Sequence, residues 1–166
     1  MNPLQKIAAT RRNHAVEHGT VTVLLERHGF KRSLAGRSNS RGFYIFGQVE
    51  PDDLRSAADE ALQRMQQGEG TLAVSPFCGT TIAVTGILAG VATLAMAGGA
   101  SSGGRWAKLP TAMIGGMLAV LFGQPIGRVA QKHITTSAHV AGLRIDSISE
   151  KGWGPFKGYW VATSQG

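Results

Sequence analysis

Charged residues are scarce in this chain, and two long stretches have none at all. Asp, Glu, Lys and Arg make up 16% of the 166 residues, whereas ordinary soluble domains have roughly 25%. Residues 70–104 and 109–127 contain no charged residue. A helix on the surface of a soluble protein needs a polar face, so this absence excludes ordinary amphipathic surface helices from both stretches.

The two uncharged stretches are long enough to cross a lipid bilayer. A hydrocarbon core about 30 Å thick requires about 20 apolar residues in a helix, and residues 76–99 and 109–127 meet that requirement. They predict a transmembrane hairpin with helices over 79–98 and 109–124, joined by residues 100–108. A buried helical hairpin in a soluble protein is the alternative.

Small residues recur at every fourth position in both uncharged stretches, 76–99 and 109–127. They are Gly86 and Gly90 in the first stretch, and Gly115, Ala119, Gly123 and Gly127 in the second. This spacing lets membrane helices approach each other backbone to backbone. We therefore expect the lipid bilayer as a partner, together with other membrane subunits or a second copy of the chain that docks through these small residues. Pro125 should kink or end the second helix, because proline lacks a backbone N–H.

Cysteine and long apolar runs near the N-terminus are also lacking. Cys78 is the single cysteine, so no intramolecular disulfide is expected, which fits a reducing compartment. The first 30 residues have no apolar run longer than three, so no secretory signal is evident. Lys and Arg number ten in residues 1–78, two in the link and five from residue 128 onward. Because an excess of Lys and Arg marks the cytoplasmic side, both termini are predicted to be cytosolic and the hairpin to lie in the cytoplasmic (inner) membrane.

Helix signals precede the uncharged stretches. Asn2-Pro3 is typical of a helix start and Gly29 of a helix end, which predicts a helix over residues 3–28. Pro51 and two following aspartates favour the start of a second helix, which closes at Gly68. Between these helices, residues 29–42 are rich in Gly, Ser and basic residues and predict a loop.

Four short segments are rich in β-formers, at residues 43–49, 71–75, 142–149 and 156–164. The first two flank the second helix and predict a βαβ unit with a right-handed crossover. The last two predict a β-hairpin. The predicted fold class is α+β, with three parts: a cytosolic N-terminal part at 1–76, the transmembrane hairpin at 77–127 and a cytosolic C-terminal part at 128–166.

The first predicted helix carries two histidines four residues apart, with a glutamate directly before the second, in "RRNHAVEH". In a helix His14 and His18 share one face, and Glu17 lies beside them. His-x-x-Glu-His is the inverted zinc motif of some metallopeptidases, and two neutral imidazoles at this spacing can bind one Zn²⁺. We expect the two side chains to converge on zinc or another divalent metal. The alternative is that both are partly buried, hydrogen-bonded helix residues without a ligand.

A zinc site needs a third ligand, and the sequence offers several. Peptidases of the inverted-motif class use a distant glutamate, so Glu69 is the predicted analogue, with His28, Cys78 and His133 left open. If the site hydrolyses a substrate, Glu17 is the residue that would act as general base on metal-bound water. The short soluble part of the chain leaves no room for the large substrate chamber of those peptidases.

A basic cluster at Lys31, Arg32, Arg37 and Arg41, with a sequence pI of about 10.2, raises the question of nucleic acid. Residues 1–78 carry eight acidic residues beside the ten basic ones, and no helix has a continuous basic stripe. Nucleic acid is therefore not expected as a partner. A basic cluster beside a membrane is more typical of a topology signal or of a contact with anionic lipid.

Four motifs occur in order: "RRNHAVEH", "RMQQGEGTLAVSPFCGTT", a hairpin rich in small residues, and "QPIGRVAQKHITT". In this order they resemble a family of small membrane proteins, without an assigned activity, from photosynthetic and related bacteria. The resemblance covers most of residues 11–136. It implies the membrane topology above and supports His14, Glu17, His18, Glu69 and Cys78 as site candidates.

Two functions are consistent with these features. One is a membrane accessory or assembly protein that docks through its hairpin and carries a cytosolic histidine/glutamate ligand site. The other is a zinc-dependent, peptidase-like hydrolase that acts at the cytosolic surface of the membrane.

Overall fold

The first helix begins and ends where its capping residues predict. Helix α1 spans Pro3–His28. The Asn2 side chain accepts a hydrogen bond from the Gln5 backbone N–H at 2.8 Å, and the Gln5 side chain accepts one from the Asn2 N–H at 2.9 Å. This reciprocal capping box satisfies two N–H groups that would otherwise lack a partner. Gly29, with φ of +70°, ends the helix.

The computed structural model describes residues 1–29, 33–98, 105–151 and 158–166, with the backbone alone at 105 and 106. The chain divides into two compact units. The helix–sheet unit comprises Met1–Ser75 and Lys132–Gly166, and the hairpin unit, Pro76–Gln131, is inserted between these two segments. Lys31 and Arg32 of the basic cluster, and most of the link predicted at 100–108, lie outside the described residues.

Helix α2, Pro51–Gln66, packs against α1. Asp52 and Asp53 lie in its first turn, where acidic side chains favour the positive end of the helix dipole. The two helices approach closely because small residues meet: a Cβ added at Gly19 would lie 3.1 Å from Cβ of Ala61. The second helix is therefore confirmed where the proline and the two aspartates predict it.

Four strands form an antiparallel sheet in the order β1-β2-β4-β3. Their bounds are β1 Ala35–Asn39, β2 Gly42–Phe46, β3 Arg144–Glu150 and β4 Gly158–Ser164. The C-terminal β-hairpin is confirmed, whereas the loop predicted over residues 29–42 is wrong for 35–39. Nothing in the sequence Ala-Gly-Arg-Ser-Asn favours a strand. Its backbone is ordered by pairing with β2 across a two-residue turn at Ser40 and Arg41.

The strand predicted at 71–75 is also wrong, and with it the βαβ crossover. Gly70–Ala73 is a 3₁₀ turn. Leu72 and Ala73 are adjacent in sequence and both buried, whereas neighbouring residues of a strand point to opposite faces. The α+β class is confirmed, with every pairing in the described sheet antiparallel.

The core of the helix–sheet unit lies where the helices meet the sheet. Helix α1 packs against β1 and β2, and α2 contacts β3. The largest fully buried apolar side chains are Phe43, Leu24, Ile45, Leu54 and Leu143. Leu4 and Ile7, which the sequence places on the same helix face as the histidines, are 77% and 58% exposed. The apolar face of α1 is therefore confined to its later turns.

The hairpin unit consists of two helices, α3 at Gly79–Gly98 and α4 at Leu109–Ala130. Both predicted helices are confirmed. Helix α4 continues past Pro125 and then passes into a π-helical turn, Gln131–Thr135. Pro125 therefore does not end the helix.

Glycines of α4 form the seam of the hairpin. A Cβ at Gly123 would lie 2.8 Å from Cα of Thr85, and one at Gly127 would lie 2.7 Å from Cα of Thr81. Such approach is possible only without side chains, as the small-residue spacing predicts. Gly86 and Gly90 differ, because beyond the adjacent turns of their own helix no heavy atom of the described residues lies within 4 Å of where their Cβ atoms would be.

Both helices of the hairpin unit are long and apolar enough to cross a membrane, and little of their surface is covered. Only 11% of the apolar window in Gly79–Gly98 is buried, and 17% of that in Leu109–Thr135. Large apolar side chains are exposed on both, among them Ile87, Leu94, Met117, Leu121 and Phe122. The core helices of a soluble protein are mostly buried, and these helices are not.

Candidate functional site

Helix α1 brings the rings of His14 and His18 together, one turn apart. The ring centroids are 4.4 Å apart with an interplanar angle of 58°. A ring nitrogen of His14 lies within 4.8 Å of a ring nitrogen of His18. His18 is buried and His14 is partly buried. The two rings converge, as their spacing predicts.

Each ring is oriented by a backbone carbonyl. Nδ1 of His14 lies 3.0 Å from the carbonyl oxygen of Thr135, and Nδ1 of His18 lies 2.9 Å from that of Ala73. A carbonyl oxygen can only accept, so Nδ1 must carry the proton in both rings. In the neutral imidazole the lone pair then lies on Nε2, which is the arrangement that metal-bound histidines have. The same hydrogen bonds also hold α1 against two other segments of the chain, so they serve a structural role whether or not a metal binds.

Arg11 holds the segment that follows α4. Its guanidinium donates to the carbonyl oxygens of His133 at 2.9 Å and Thr136 at 3.0 Å. The last carbonyls of a helix lack partners within it, and here Arg11 and His14 supply them. A cavity of about 580 Å³ adjoins Ala73 and Thr136, so the residue whose carbonyl orients His18 also lines a space large enough for a small ligand.

Glu17 is directed at the sheet. It is buried, its carboxylate accepts a hydrogen bond from Ser38 Oγ at 2.5 Å, and it lies against Gly36, where a side chain would collide with it. Four residues earlier, Asn13 donates to the carbonyl of Asn39 at 2.8 Å and accepts from Thr163 Oγ1 at 2.8 Å. Sequence reasoning missed Asn13, although its spacing from Glu17 places both on one helix face.

The candidate third ligands have different surroundings. Both oxygens of Glu69 accept hydrogen bonds from Arg64, at 2.7 and 2.8 Å, and these bonds lower the pKa of the Glu69 carboxyl. His28 contacts Asp53 at 2.5 Å. His133 is exposed. Cys78, in the hairpin unit, is buried, and its Sγ accepts from the Thr80 N–H at 3.4 Å.

The comparison with known proteins gives a family but no activity. Residues 9–148 match the family model described as "Domain of unknown function (DUF6391)". An uncharacterized protein of Picosynechococcus sp. (strain PCC 7002) is 37% identical over 163 residues, which cover 89% of this chain and 75% of that protein. No solved structure matches significantly. The relative from Picosynechococcus indicates that the family occurs in bacteria. Because the family model covers most of the chain, the protein belongs to the DUF6391 family.

Proposed function

We propose that this chain is an integral protein of the bacterial cytoplasmic membrane, in which α3 and α4 span the bilayer and both termini are cytosolic. The observation that supports the spanning hairpin is its exposed apolar surface, with only 11% and 17% of the two apolar windows buried. Large apolar patches in contact with water are unfavourable, and the hydrocarbon core of a bilayer covers such a surface. The excess of Lys and Arg outside the link supports the orientation.

We further propose that His14 and His18 bind a divalent metal, with zinc as the first candidate. The observation that carries this proposal is the pair of Nδ1–carbonyl hydrogen bonds, which directs the lone pair of each ring to Nε2. The convergence of the two rings adds to it, because one metal can then contact both.

Cys78 is the third ligand that we favour. Thiolate and imidazole together are a common zinc ligand set. Cys78 lies only five residues along the chain from Ala73, whose carbonyl orients His18. Glu69 is a weaker candidate, because Arg64 occupies both of its oxygens.

The function that these features support best is a membrane accessory or assembly protein with a metal site. A hydrolase would use Glu17 as the base on metal-bound water. The hydrogen bond of Glu17 with Ser38 and the packing of Glu17 on Gly36 favour a different role, which is to hold α1 to the sheet.

Substitution by asparagine separates the metal role from the structural role of the histidines. Asparagine retains an N–H donor close to the position of Nδ1 but has no counterpart of Nε2. Purified full-length protein would be titrated with Co²⁺ and Zn²⁺, and His14→Asn and His18→Asn compared with His139→Asn, which changes an exposed histidine. We expect one metal per chain in the wild type and a loss of affinity of about 100-fold or more in the first two variants, beyond the 10–100-fold that outer-shell changes produce.

The absorption of the cobalt complex identifies the third ligand. A cobalt–thiolate charge-transfer band that is present in the wild type and absent in Cys78→Ser would support Cys78, and its absence from the wild type would exclude it. Failure of the wild type to bind metal, or equal binding by all three asparagine variants, would contradict the metal site.

Membrane integration is tested independently. Bacterial membranes that contain the protein would be washed with alkaline carbonate, and we expect the chain to stay in the pellet. In a separate experiment on the orientation, trypsin should cleave the termini in inverted vesicles and leave them intact in spheroplasts. Release by carbonate would contradict the spanning hairpin, and the opposite protease pattern would contradict the orientation.

A further inference from the structure

The ion pairs of the helix–sheet unit centre on two arginines, Arg27 and Arg64. Arg27 contacts Asp53 at 2.9 Å and Glu60 at 2.5 Å. Arg64 contacts Glu26 and Glu69, each at 2.7 Å. These ion pairs join the last turns of α1 to α2 and to the segment that follows it, so the basic residues in this part of the chain are neutralised.

Arg12 and Arg41 are not neutralised in this way. Among the described residues, no carboxylate oxygen lies within 4.0 Å of either guanidinium, which is the distance at which an ion pair forms. Arg12 is on the N-terminal half of α1, and Arg41 is in the turn between β1 and β2. Both guanidinium groups therefore carry a positive charge without an ion-pair partner among the described residues.

The same two arginines line one cleft. It has a volume of about 590 Å³, and α1, the β1–β2 turn and the end of β4 form its walls. Ser40, Thr163 and Gln165 also line it.

The side chain of Arg12 and the backbone of Arg41 are held by hydrogen bonds. Arg12 Nε donates to Gln165 Oε1 at 2.6 Å. The backbone of Arg41 donates to Asn39 Oδ1 at 2.8 Å and accepts from the Thr163 N–H at 3.0 Å. The guanidinium of Arg12, fixed in this way, loses little freedom when it binds an anion.

We propose that this cleft binds a phosphate group, with Arg12 and Arg41 as its principal donors. The planar fork of arginine matches the oxygens of a phosphate and binds them through two hydrogen bonds at once. The hydroxyl of Ser164 in the wall donates its hydrogen bond to Asp146 at 2.7 Å. We therefore expect the two arginines, rather than this hydroxyl, to bind the phosphate.

The size of the cleft indicates that the phosphate is attached to an organic group. Ligand sites typically have volumes of about 300–1,000 Å³, and this one is far larger than a bare phosphate ion needs. Met1 and Ala8 add apolar surface to the wall. A phosphoester fits this combination, and its source is either the headgroup of an anionic phospholipid or a soluble phosphate compound.

The test uses full-length protein in a neutral detergent. Three probes are titrated by calorimetry: inorganic phosphate, short-chain phosphatidylglycerol below its micellar concentration, and the matching phosphatidylcholine. Arg12→Gln and Arg41→Gln remove the proposed donors. Arg37→Gln is the matched control, since Arg37 is an exposed arginine on β1 outside the cleft.

We expect saturable binding of at least one phosphate probe, weakened about tenfold or more in Arg12→Gln and in Arg41→Gln and less than about twofold in Arg37→Gln. Binding of phosphatidylglycerol without inorganic phosphate would assign the site to lipid headgroups, and binding of both would assign it to the phosphate group itself. Absence of binding to every probe, or equal weakening in all three variants, would overturn the proposal.

Discussion

The interior of the helix–sheet unit and that of the hairpin unit are packed in opposite ways. In the first, large side chains such as Phe43 and Leu54 fill a core from which water is excluded. In the second, the helices meet through glycines and threonines, while large apolar side chains such as Leu121 and Phe122 point outward. The position of the large side chains is therefore reversed between the two units.

The proposed membrane location of the hairpin unit would explain the reversal. In water, burial of apolar surface drives folding, so the largest side chains are inside. In a bilayer, lipid tails are as apolar as leucine, and helices associate through close packing and polar contacts. The hydrogen bond from the Gln131 side chain to the Thr81 hydroxyl is a contact of this kind inside the hairpin unit.

The largest expected effect tests the reversal directly. Phe43→Ala removes a fully buried ring and should lower the free energy of unfolding of the helix–sheet unit by about 3–5 kcal/mol, through lost burial and the cavity left behind. Phe122→Ala removes a ring that is 60% exposed and should change stability by less than about 0.5 kcal/mol. Denaturant titration in detergent, followed by tryptophan fluorescence, measures both. Equal losses would mean that the two units do not differ as described.

A smaller effect is expected when a side chain is added. Gly127→Leu forces a large side chain against the backbone of Thr81 and should destabilise the hairpin by about 1–3 kcal/mol, the usual cost of overpacking. Gly90→Leu places the same side chain on an open face and should leave the hairpin intact. Thermal unfolding in detergent separates the two variants. If the wild type forms a larger assembly that Gly90→Leu alone loses, the open face at Gly90 is a contact with another chain.

The smallest effect concerns the ion pairs, which the described hairpin helices lack. Burial raises the pKa of Asp53, but hydrogen bonds from His28 and Arg27 lower it by more, and Arg64 lowers the pKa of Glu69. A carboxyl whose pKa is depressed by folding stabilises the fold above its unfolded pKa of about 4 and loses that contribution as the pH falls through the folded pKa.

Melting temperatures between pH 3 and pH 7 therefore test this pair of carboxyls. The helix–sheet unit should melt at lower temperature as the pH falls below about 4. Asp53→Asn should flatten that dependence slightly, because partly exposed pairs contribute only a fraction of a kcal/mol. A variant with the same pH dependence as the wild type would show that Asp53 does not contribute to it.

Local signals predicted the helices well, and the sheet less well. Asn2-Pro3, Pro51 and Gly29 act through their own backbone and side chains, so their effect is visible in the sequence. Residues 35–39 lack strand propensity and form β1 only because β2 pairs with them. Residues 71–75 suggest a strand by composition, yet Leu72 and Ala73 are buried in a 3₁₀ turn.

The helices, the uncharged hairpin and the placement of His14 and His18 on one helix face can all be predicted from the sequence, because each depends on spacing within a few residues. Contacts between residues that are far apart in the chain are seen only in the folded protein. It brings Thr135 and Ala73 to the two rings and Ser38 to Glu17. It also joins Glu69 to Arg64, and it places Arg12 and Arg41 in one cleft. These contacts depend on how the chain closes its loops and packs its core, which no local pattern records.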